Sequence, residues 1–183
     1  MKRIPRIVAR YKALAEVDEN FESYFSFYLA MCKFIDGNKQ FFKDNLKSKW
    51  GLDILMKLDF QKYILESPDL SLVSVRQRIK ESENLKSASL PMLINSYLWD
   101  LVRIYSDEDC TRCGNSMAYV KAIEKNKKET IVLECTFCGA AKNLDGTTFK
   151  TVDGDFVEAI LPVTQDEILL ALDQINLPYK EEK

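Results

Sequence analysis

Apolar residues in the first half of the chain recur three and four positions apart, which is the spacing of amphipathic helices. The second of these predicted helices is apolar around most of its circumference, so we expect it at the centre of a helical bundle. Asp18, Glu19 and Asn20 are its candidate N-cap residues. The predicted helices span approximately residues 5–15, 20–35, 38–49, 52–65, 71–81 and 91–106.

The hydrophobic pattern changes to a strand-like one after residue 114. The residues Lys125-Asn126-Lys127-Lys128 predict a charged hairpin turn, and Asp145-Gly146 and Asp153-Gly154 predict further turns. Thr164 and Glu167 form a capping box that predicts a final helix over about Gln165–Ile175. The predicted strands are Met117–Ile123, Thr130–Glu134, Thr147–Val152 and Phe156–Val163.

Four of the five cysteines lie in two Cys-x-x-Cys-Gly turns, Cys110–Gly114 and Cys135–Gly139, with 21 residues between Cys113 and Cys135. Two thiolates two residues apart can bind one metal ion from a single tight turn, and two such turns complete a tetrahedral zinc shell. The glycine after each pair suits a backbone that turns sharply with positive φ. Two redox-active Cys-x-x-Cys motifs are the alternative, but neither lies between a strand and a helix as in thioredoxin-type motifs.

The two turns and the hairpin between them resemble a zinc ribbon over about residues 108–143. The resemblance implies a structural Zn²⁺, because four thiolates fill the shell and leave no position at which a water could be activated. Zinc ribbons occur in transcription factors, polymerase subunits, ribosomal proteins, enzymes and protein-docking modules, so this motif does not specify a function. By the resemblance, the metal ligands are Cys110, Cys113, Cys135 and Cys138.

These patterns together predict an α+β protein in two parts. Residues 1–106 are expected to form an N-terminal helical bundle. Residues 107–183 are expected to form a small antiparallel β zinc ribbon with a closing C-terminal helix. The helix over 91–106 leads directly into the first cysteine pair, so the two parts are expected to pack rigidly against each other.

Composition and charge narrow the class of protein. The chain is 46% hydrophobic and 30% charged, which is typical of a globular protein, and no apolar stretch is long enough to span a membrane. No apolar segment follows the basic N-terminus, and cysteines in metal spacing suit a reducing compartment, so we expect a cytoplasmic protein. Residues 1–106 carry 17 basic against 13 acidic residues, whereas residues 107–183 carry 9 against 15.

The chain contains no histidine, so Ser–His and Cys–His nucleophile pairs are excluded. No phosphate-binding glycine loop is present either. We therefore expect a protein that is not an enzyme. A mechanism based on carboxylates alone, or an enzyme with a structural zinc insert, remains the alternative. The clustered carboxylates Asp107, Glu108, Asp109, Asp153 and Asp155 lie in predicted turns, where solvated charge is the simplest interpretation.

Lysines on the predicted helix 38–49 form the one basic patch, which consists of Lys39, Lys43, Lys47 and Lys49. A solvated helix face is one interpretation, and an anion or nucleic-acid contact is the other. Aromatic side chains in the helix 20–35 could likewise stack on bases, although a packed core explains them more simply.

Two hypotheses for function follow from charge and metal site. The first is a zinc-stabilised protein-binding module whose acidic surface binds a basic protein, for example an immunity protein or antitoxin that neutralises a cationic toxin. Its expected partner-binding residues are Asp107, Glu108, Asp109, Asp153 and Asp155. The alternative is a nucleic-acid-associated regulator of transcription or translation that uses the ribbon or the lysine helix, although the overall charge disfavours it.

Overall fold

The computed structural model describes residues 23–42, 51–59, 62–63, 90–149 and 157–176. The predicted helices over 5–15 and 71–81 and the turn at Asp153-Gly154 lie outside these residues. The helices are α1 (Tyr24–Gly37), α2 (Leu52–Leu55), α3 (Leu90–Val102) and α4 (Gln165–Asn176), with a 3₁₀ turn at Lys39–Phe41. The strands are β1 (Ile104–Asp109), β2 (Ser116–Glu124), β3 (Glu129–Cys135), β4 (Ala141–Asn143) and β5 (Val157–Leu161).

Strand β2 is the centre of an antiparallel sheet that the described residues form with five strands. Strand β3 pairs with β2 from Met117 to Ile123, and β4 pairs with the far side of β3. The other side of β2 is shared, because β1 pairs with its first half and β5 with its second half. Strands β1 and β5 therefore lie end to end along one edge of β2.

The two faces of the sheet are covered by different elements, because successive side chains of a strand point to opposite faces. Val120 and Ala122 of β2 are buried in one core with side chains of α1, α2 and α3. Met117 of β2 points to the opposite face and is buried with Cys110 and Cys135. Helix α4 also meets this second face, where its Glu167 forms an ion pair with Lys121 of β2. The sheet thus separates three helices from the cysteine cluster and α4.

Helix α1 begins at a cap that the sequence analysis missed. Ser23 and Ser26 form a reciprocal capping box, in which the Ser23 hydroxyl accepts from the Ser26 N–H at 3.1 Å. The helix buries Phe27 against Tyr97 of α3, with the rings edge to face at 6.1 Å. Phe25 and Leu29 are exposed. The predicted N-caps at residues 18–20 lie outside the described residues.

Helix α3 ends four residues earlier than predicted, at Val102, and the chain continues directly as β1. Ile104 and Tyr105 leave the helix and pair with Tyr119 and Ala118 of β2. The prediction that Asp107, Glu108 and Asp109 form a turn is wrong, because these residues belong to β1. Helical spacing of apolar residues continued to Tyr105, but pairing with β2 satisfies the same backbone groups in an extended conformation.

Two other predicted helices differ from the structure where it describes them. Of the helix expected over 52–65, the described residues form the single turn α2 at Leu52–Leu55, and beyond this turn the Leu58 N–H donates to the Tyr28 hydroxyl at 3.2 Å. A tertiary hydrogen bond thus replaces the helical one. The helix expected over 38–49 begins as the 3₁₀ turn, and Phe42 is already extended with φ −99° and ψ 109°. The remainder of that helix lies outside the described residues.

The mixture of helices and antiparallel sheet confirms the predicted α+β class. The N-terminal helical bundle stays a prediction, since much of residues 1–106 lies outside the described ranges. The division into 1–106 and 107–183 also stays a prediction, and its boundary falls within β1. None of the described helices is both long enough and apolar enough to cross a membrane.

Candidate metal centre

Each Cys-x-x-Cys-Gly turn has the same backbone hydrogen bonds. In the first turn, the Cys110 N–H donates to the Asn115 carbonyl and the Gly114 N–H donates to the Cys110 carbonyl, both at 2.8 Å. In the second turn, the Cys135 N–H donates to the Ala140 carbonyl at 2.8 Å, and the next glycine donates back to Cys135 at 3.1 Å. Both glycines adopt positive φ, 73° and 68°, as their place in the pattern predicts.

The sheet brings these two turns together at one end. Cys110 directly follows β1 and Cys135 ends β3, and both strands are bonded to β2. Met117 of β2 is opposite Cys135 and packs between the two turns with Leu133. Cys110 and Cys135 are buried in this small apolar cluster, whereas Cys113 is exposed at the surface.

The four sulfur atoms form one compact cluster and all lie within 4.8 Å of one another. The Cys110 Sγ lies 3.6 Å from the Cys138 Sγ, and the Cys113 Sγ lies 3.4 Å from the Cys135 Sγ. A tetrahedral zinc ion with Zn–S bonds of about 2.3 Å places its sulfurs roughly 3.8 Å apart. The cluster is therefore compatible with a zinc-ribbon-like site, as the spacing predicted. Among the described residues, no other cluster of potential metal ligands is present.

Hydrogen bonds to sulfur distribute charge unevenly within the cluster. The Asn115 side chain donates to the Cys113 Sγ at 3.3 Å and is the main reason that the pKa of Cys113 falls to about 6. Backbone N–H groups, Arg112 foremost, lower the pKa of Cys110. The Ala140 N–H acts in the same direction on Cys138, but burial and hydrogen bonds with the other cysteines raise its pKa to about 12.

The neighbouring cysteines also act in opposite directions on these thiols, since they lower the pKa of Cys110 and Cys113 and raise that of Cys138. Sulfurs this close cannot all be ionised without a cation between them, because neighbouring thiolates repel one another. A divalent ion removes that repulsion and takes the place of the remaining protons. Four thiolates suit a divalent metal ion such as Zn²⁺. If all four bind, a tetrahedral ion has no open coordination position for a substrate or a catalytic water.

The acidic residues next to the first cysteine turn lie in a bulge of β1. Three residues from Ser106 to Glu108 are opposite the single residue Met117 of β2. The Ser106 hydroxyl bridges the bulge, since it donates to the Met117 carbonyl and accepts from the Glu108 N–H, both at 3.3 Å. Glu108 forms an ion pair with Lys142 of β4. Asp107 and Asp109 are exposed.

The carboxylates of this bulge also reach β2. Burial raises the pKa of Tyr119, and the charges of Glu108 and Asp107 raise it further. Of the residues predicted to bind a partner, Asp107, Glu108 and Asp109 are therefore brought together at one edge of the sheet. Asp153 and Asp155 lie outside the described residues, so their place relative to the bulge stays a prediction.

The predicted basic patch is described only at its first member. Lys39 lies in the 3₁₀ turn after α1, where it forms an ion pair with Asp36 at 3.1 Å. Because Lys39 already has a partner on the neighbouring turn, it is consistent with a solvated surface charge. Lys43, Lys47 and Lys49 lie outside the described residues.

The residues at the tips of the two cysteine turns were not among the predicted site residues. Phe137 lies between Cys135 and Cys138 and is 78% exposed, which is unusual for an aromatic side chain. Arg112 occupies the equivalent position in the first turn and is also exposed. The exposure of these two side chains could have been predicted from the Cys-x-x-Cys motif. Its two cysteines must point inward to share a metal ion, so the two residues between them are left at the surface.

Comparisons with known proteins do not assign the chain to a family. No family model matches it, and no curated protein or solved structure shows significant similarity.

Proposed function

We propose that the protein is a zinc-stabilised, non-enzymatic binding module whose acidic edge binds a basic protein partner. The observation that carries the proposal is the position of the acidic bulge. Asp107 and Asp109 are exposed on β1, and the residue that follows this strand, Cys110, belongs to the four-sulfur cluster. A bound Zn²⁺ would hold that strand in place, so the carboxylates would be presented in a fixed arrangement.

Charge supports the choice of a basic partner. The C-terminal part carries six more acidic than basic residues, and four thiolates around one Zn²⁺ add two further negative charges. An acidic surface speeds the capture of a basic protein and discriminates against acidic ones. A cationic toxin neutralised by an immunity protein or antitoxin is the example of this interaction that we propose to test first.

The absence of histidine and the four-thiolate site support a role without catalysis. A metal shell filled by protein sulfur has no place for substrate or activated water. In this proposal the metal ion has a structural role, and the carboxylates bind the partner.

The test is affinity capture with the immobilised, zinc-loaded chain from a lysate of its own host. We expect the retained proteins to be more basic than the lysate as a whole, and we expect their binding to weaken steeply with salt. The substitutions Asp107→Lys and Asp109→Lys should abolish retention. Asp173→Lys, on the exposed side of α4, makes the same charge change away from the bulge and should leave retention unchanged. Capture of no basic protein at low salt would refute the proposal.

A second candidate, a nucleic-acid-associated regulator, is favoured by one observation. Arg112 and Phe137 at the tips of the cysteine turns combine a cation with an exposed aromatic ring, and such pairs bind phosphate and stack on bases. Retention of single-stranded RNA or DNA that is lost in both Arg112→Ala and Phe137→Ala would support this candidate. Retention that is unaffected by either substitution would exclude the tips as the binding site.

A further inference from the structure

A cleft of about 230 Å³ lies between α3 and β3 on the face of the sheet opposite the cysteine cluster. Asn95, Trp99 and Arg103 line it from one side of α3, and Glu134 and Thr136 line it from the end of β3 and the second cysteine turn. Its volume is smaller than the roughly 300–1,000 Å³ that is usual for sites of drug-sized molecules. The cleft is therefore suited to a short segment of a larger molecule.

Two polar atoms that are buried at this cleft have no hydrogen-bond partner. They are the Oδ1 of Asn95, a residue that is only 9% exposed, and the Nε of Arg103. An unpaired buried acceptor and an unpaired buried donor both cost free energy, so native structures rarely contain them without a reason. An occupant that offers a donor to Asn95 and an acceptor to Arg103 would remove both costs.

Charge does not select the occupant of the cleft. The Arg103 Nη1 lies 3.1 Å from the Asp100 Oδ1, so a carboxylate already balances the guanidinium. Glu134 has an interaction of its own within the chain. The unmet needs are one hydrogen-bond donor and one acceptor, and every residue of a peptide chain other than proline carries both without a charge.

The two unpaired groups are spaced along the helix. The Arg103 N–H donates to the Trp99 carbonyl, so Arg103 continues the helical spacing beyond Val102. Asn95 and Arg103 are eight residues apart, which is about 12 Å along the axis. The Arg103 guanidinium lies back over the Trp99 ring, at 5.7 Å from its centroid, so the span to Asn95 is shorter than this. An extended chain of about two to four residues covers it at 3.3 Å per residue.

Exposed apolar side chains lie beside the cleft. Met92 lines it and is 65% exposed, and Phe137 follows Thr136 in the chain and is 78% exposed. Exposed apolar surface of this kind marks sites at which another molecule binds. The apolar surface therefore continues beyond the cleft, as an elongated occupant requires.

We propose that this cleft binds an extended, uncharged segment of the protein partner. A main-chain N–H of the segment donates to the Asn95 Oδ1, and a main-chain carbonyl further along accepts from the Arg103 Nε–H. An apolar side chain of the segment packs against Met92 and Trp99. This inference rests on the proposed function, and it adds a second contact to that of the acidic bulge.

The probe for this site is N-acetyl-L-leucine methylamide, which carries two peptide groups and no charge. It is compared with its analogue in which both amide nitrogens are methylated, which keeps the carbonyls but cannot donate. Binding is followed by NMR chemical shifts of the backbone amides of the zinc-loaded full chain. We expect saturable shifts in α3 and around residues 134–136, with a dissociation constant on the order of 1 mM for so small a probe. The methylated analogue should bind at least about fivefold more weakly, because it leaves Asn95 without a donor.

Three variants locate the binding. Asn95→Ala should weaken the binding of the probe and remove its advantage over the methylated analogue, whereas an advantage due only to the size of the methyl groups would persist. Arg103→Lys keeps a charge beside Asp100 but lacks the Nε–H, so it should weaken the binding of both compounds. Gln174→Ala is the control, since it removes an exposed side-chain amide on α4. It should bind both compounds like the unmodified chain.

The stability of Asn95→Ala separates a binding role from a structural one. Because the Asn95 Oδ1 has no partner in the chain, we expect the variant to melt at or above the melting temperature of the unmodified, zinc-loaded protein. A lower melting temperature would show that this side chain is paired within the fold, and it would overturn the site.

The outcomes separate this inference from the proposed function. Non-saturable shifts, equal affinity for the two compounds, or an unchanged capture of basic proteins by Asn95→Ala would overturn the peptide site. The acidic bulge could still bind its partner in each of those cases. Failure of the unmodified chain to capture any basic protein would refute the proposed function even if the uncharged probe binds.

Discussion

Gly51 lies at a position where the fold leaves no space for a side chain. It has φ +65° at the start of α2, and a Cβ atom built on it would lie 2.6 Å from the Ile160 carbonyl oxygen of β5. The obstacle is backbone within a paired strand, so it cannot rotate away. The absence of a side chain at Gly51 therefore lets the start of α2 lie directly against β5.

We expect Gly51→Ala to lower the free energy of unfolding by about 2 kcal/mol or more, because it combines a strained φ with a backbone clash. Urea denaturation of the zinc-loaded protein measures the change. Gly37→Ala is the control, since nothing lies within 4 Å of its Cβ position and α1 extends through this residue. Equal stability of the two variants would show that the contact with β5 is not maintained in solution.

Helix α4 is joined to the sheet by one polar side chain with two roles. Glu167 accepts from the Thr164 N–H at 2.9 Å as part of the capping box, and it forms an ion pair with Lys121 of β2. Burial opposes ionisation of Glu167, but Lys121 and Thr164 outweigh it and lower its pKa. A group with a lowered pKa stabilises the folded state above its unfolded pKa, and this contribution is lost as pH falls through the folded value.

Two substitutions distinguish the roles of Glu167. Glu167→Gln keeps a capping side chain but loses the charge, so we expect a cost of about 0.5 kcal/mol at neutral pH. This cost should disappear as the pH falls through the lowered pKa of Glu167 in the folded state. Glu167→Ala loses both roles and should cost about 1 kcal/mol more at any pH at which the protein is folded. Urea denaturation at a series of pH values measures both. Identical costs for the two variants would contradict a contribution from the cap.

The residues that the structure describes form two apolar clusters of different size, and the cysteines of the candidate metal site belong to the smaller one. The helix-covered face of the sheet has a large core, whereas Cys110 and Cys135 share theirs with little more than Met117 and Leu133. A cluster of that size cannot offset the entropy of ordering two loops, so we infer that a metal ion supplies the difference.

Zinc removal should therefore act unevenly across the sheet. We expect chelation or Cys113→Ser to lower the free energy of unfolding by at least about 3 kcal/mol. Amide hydrogen exchange should accelerate first around residues 108–119 and 133–141, while Val120 and Val132 remain protected by the helices. Cys32→Ser, which changes a cysteine outside the cluster, should keep zinc bound. Unchanged exchange after verified metal loss would show that the ion does not support the fold.

The interactions that the sequence predicted correctly are those completed within a few residues. The Cys-x-x-Cys-Gly turns, the hairpin at 125–128 and the capping box at Thr164 all depend on hydrogen bonds or ligands between near neighbours. The Ser23–Ser26 cap is equally local and could have been recognised as a reciprocal pair. Near neighbours are fixed by chain connectivity, so their chemistry is apparent from the order of residues alone.

Tertiary contacts decided what the local pattern left open. Residues 104–109 form a strand because they pair with the edge of β2. Helix α2 does not continue past Leu55, and the Leu58 N–H donates to the Tyr28 hydroxyl instead of to a helical carbonyl. The bulge with its carboxylates, the exposed Phe137 and the cleft between Asn95 and Glu134 exist only because distant segments meet. The sequence by itself determined the two Cys-x-x-Cys-Gly turns, since each is completed within a few residues, whereas the sheet brings their four sulfurs together. Which charged and aromatic side chains surround the sulfurs was determined only by tertiary packing, because it depends on which distant segments bury their apolar surfaces against each other.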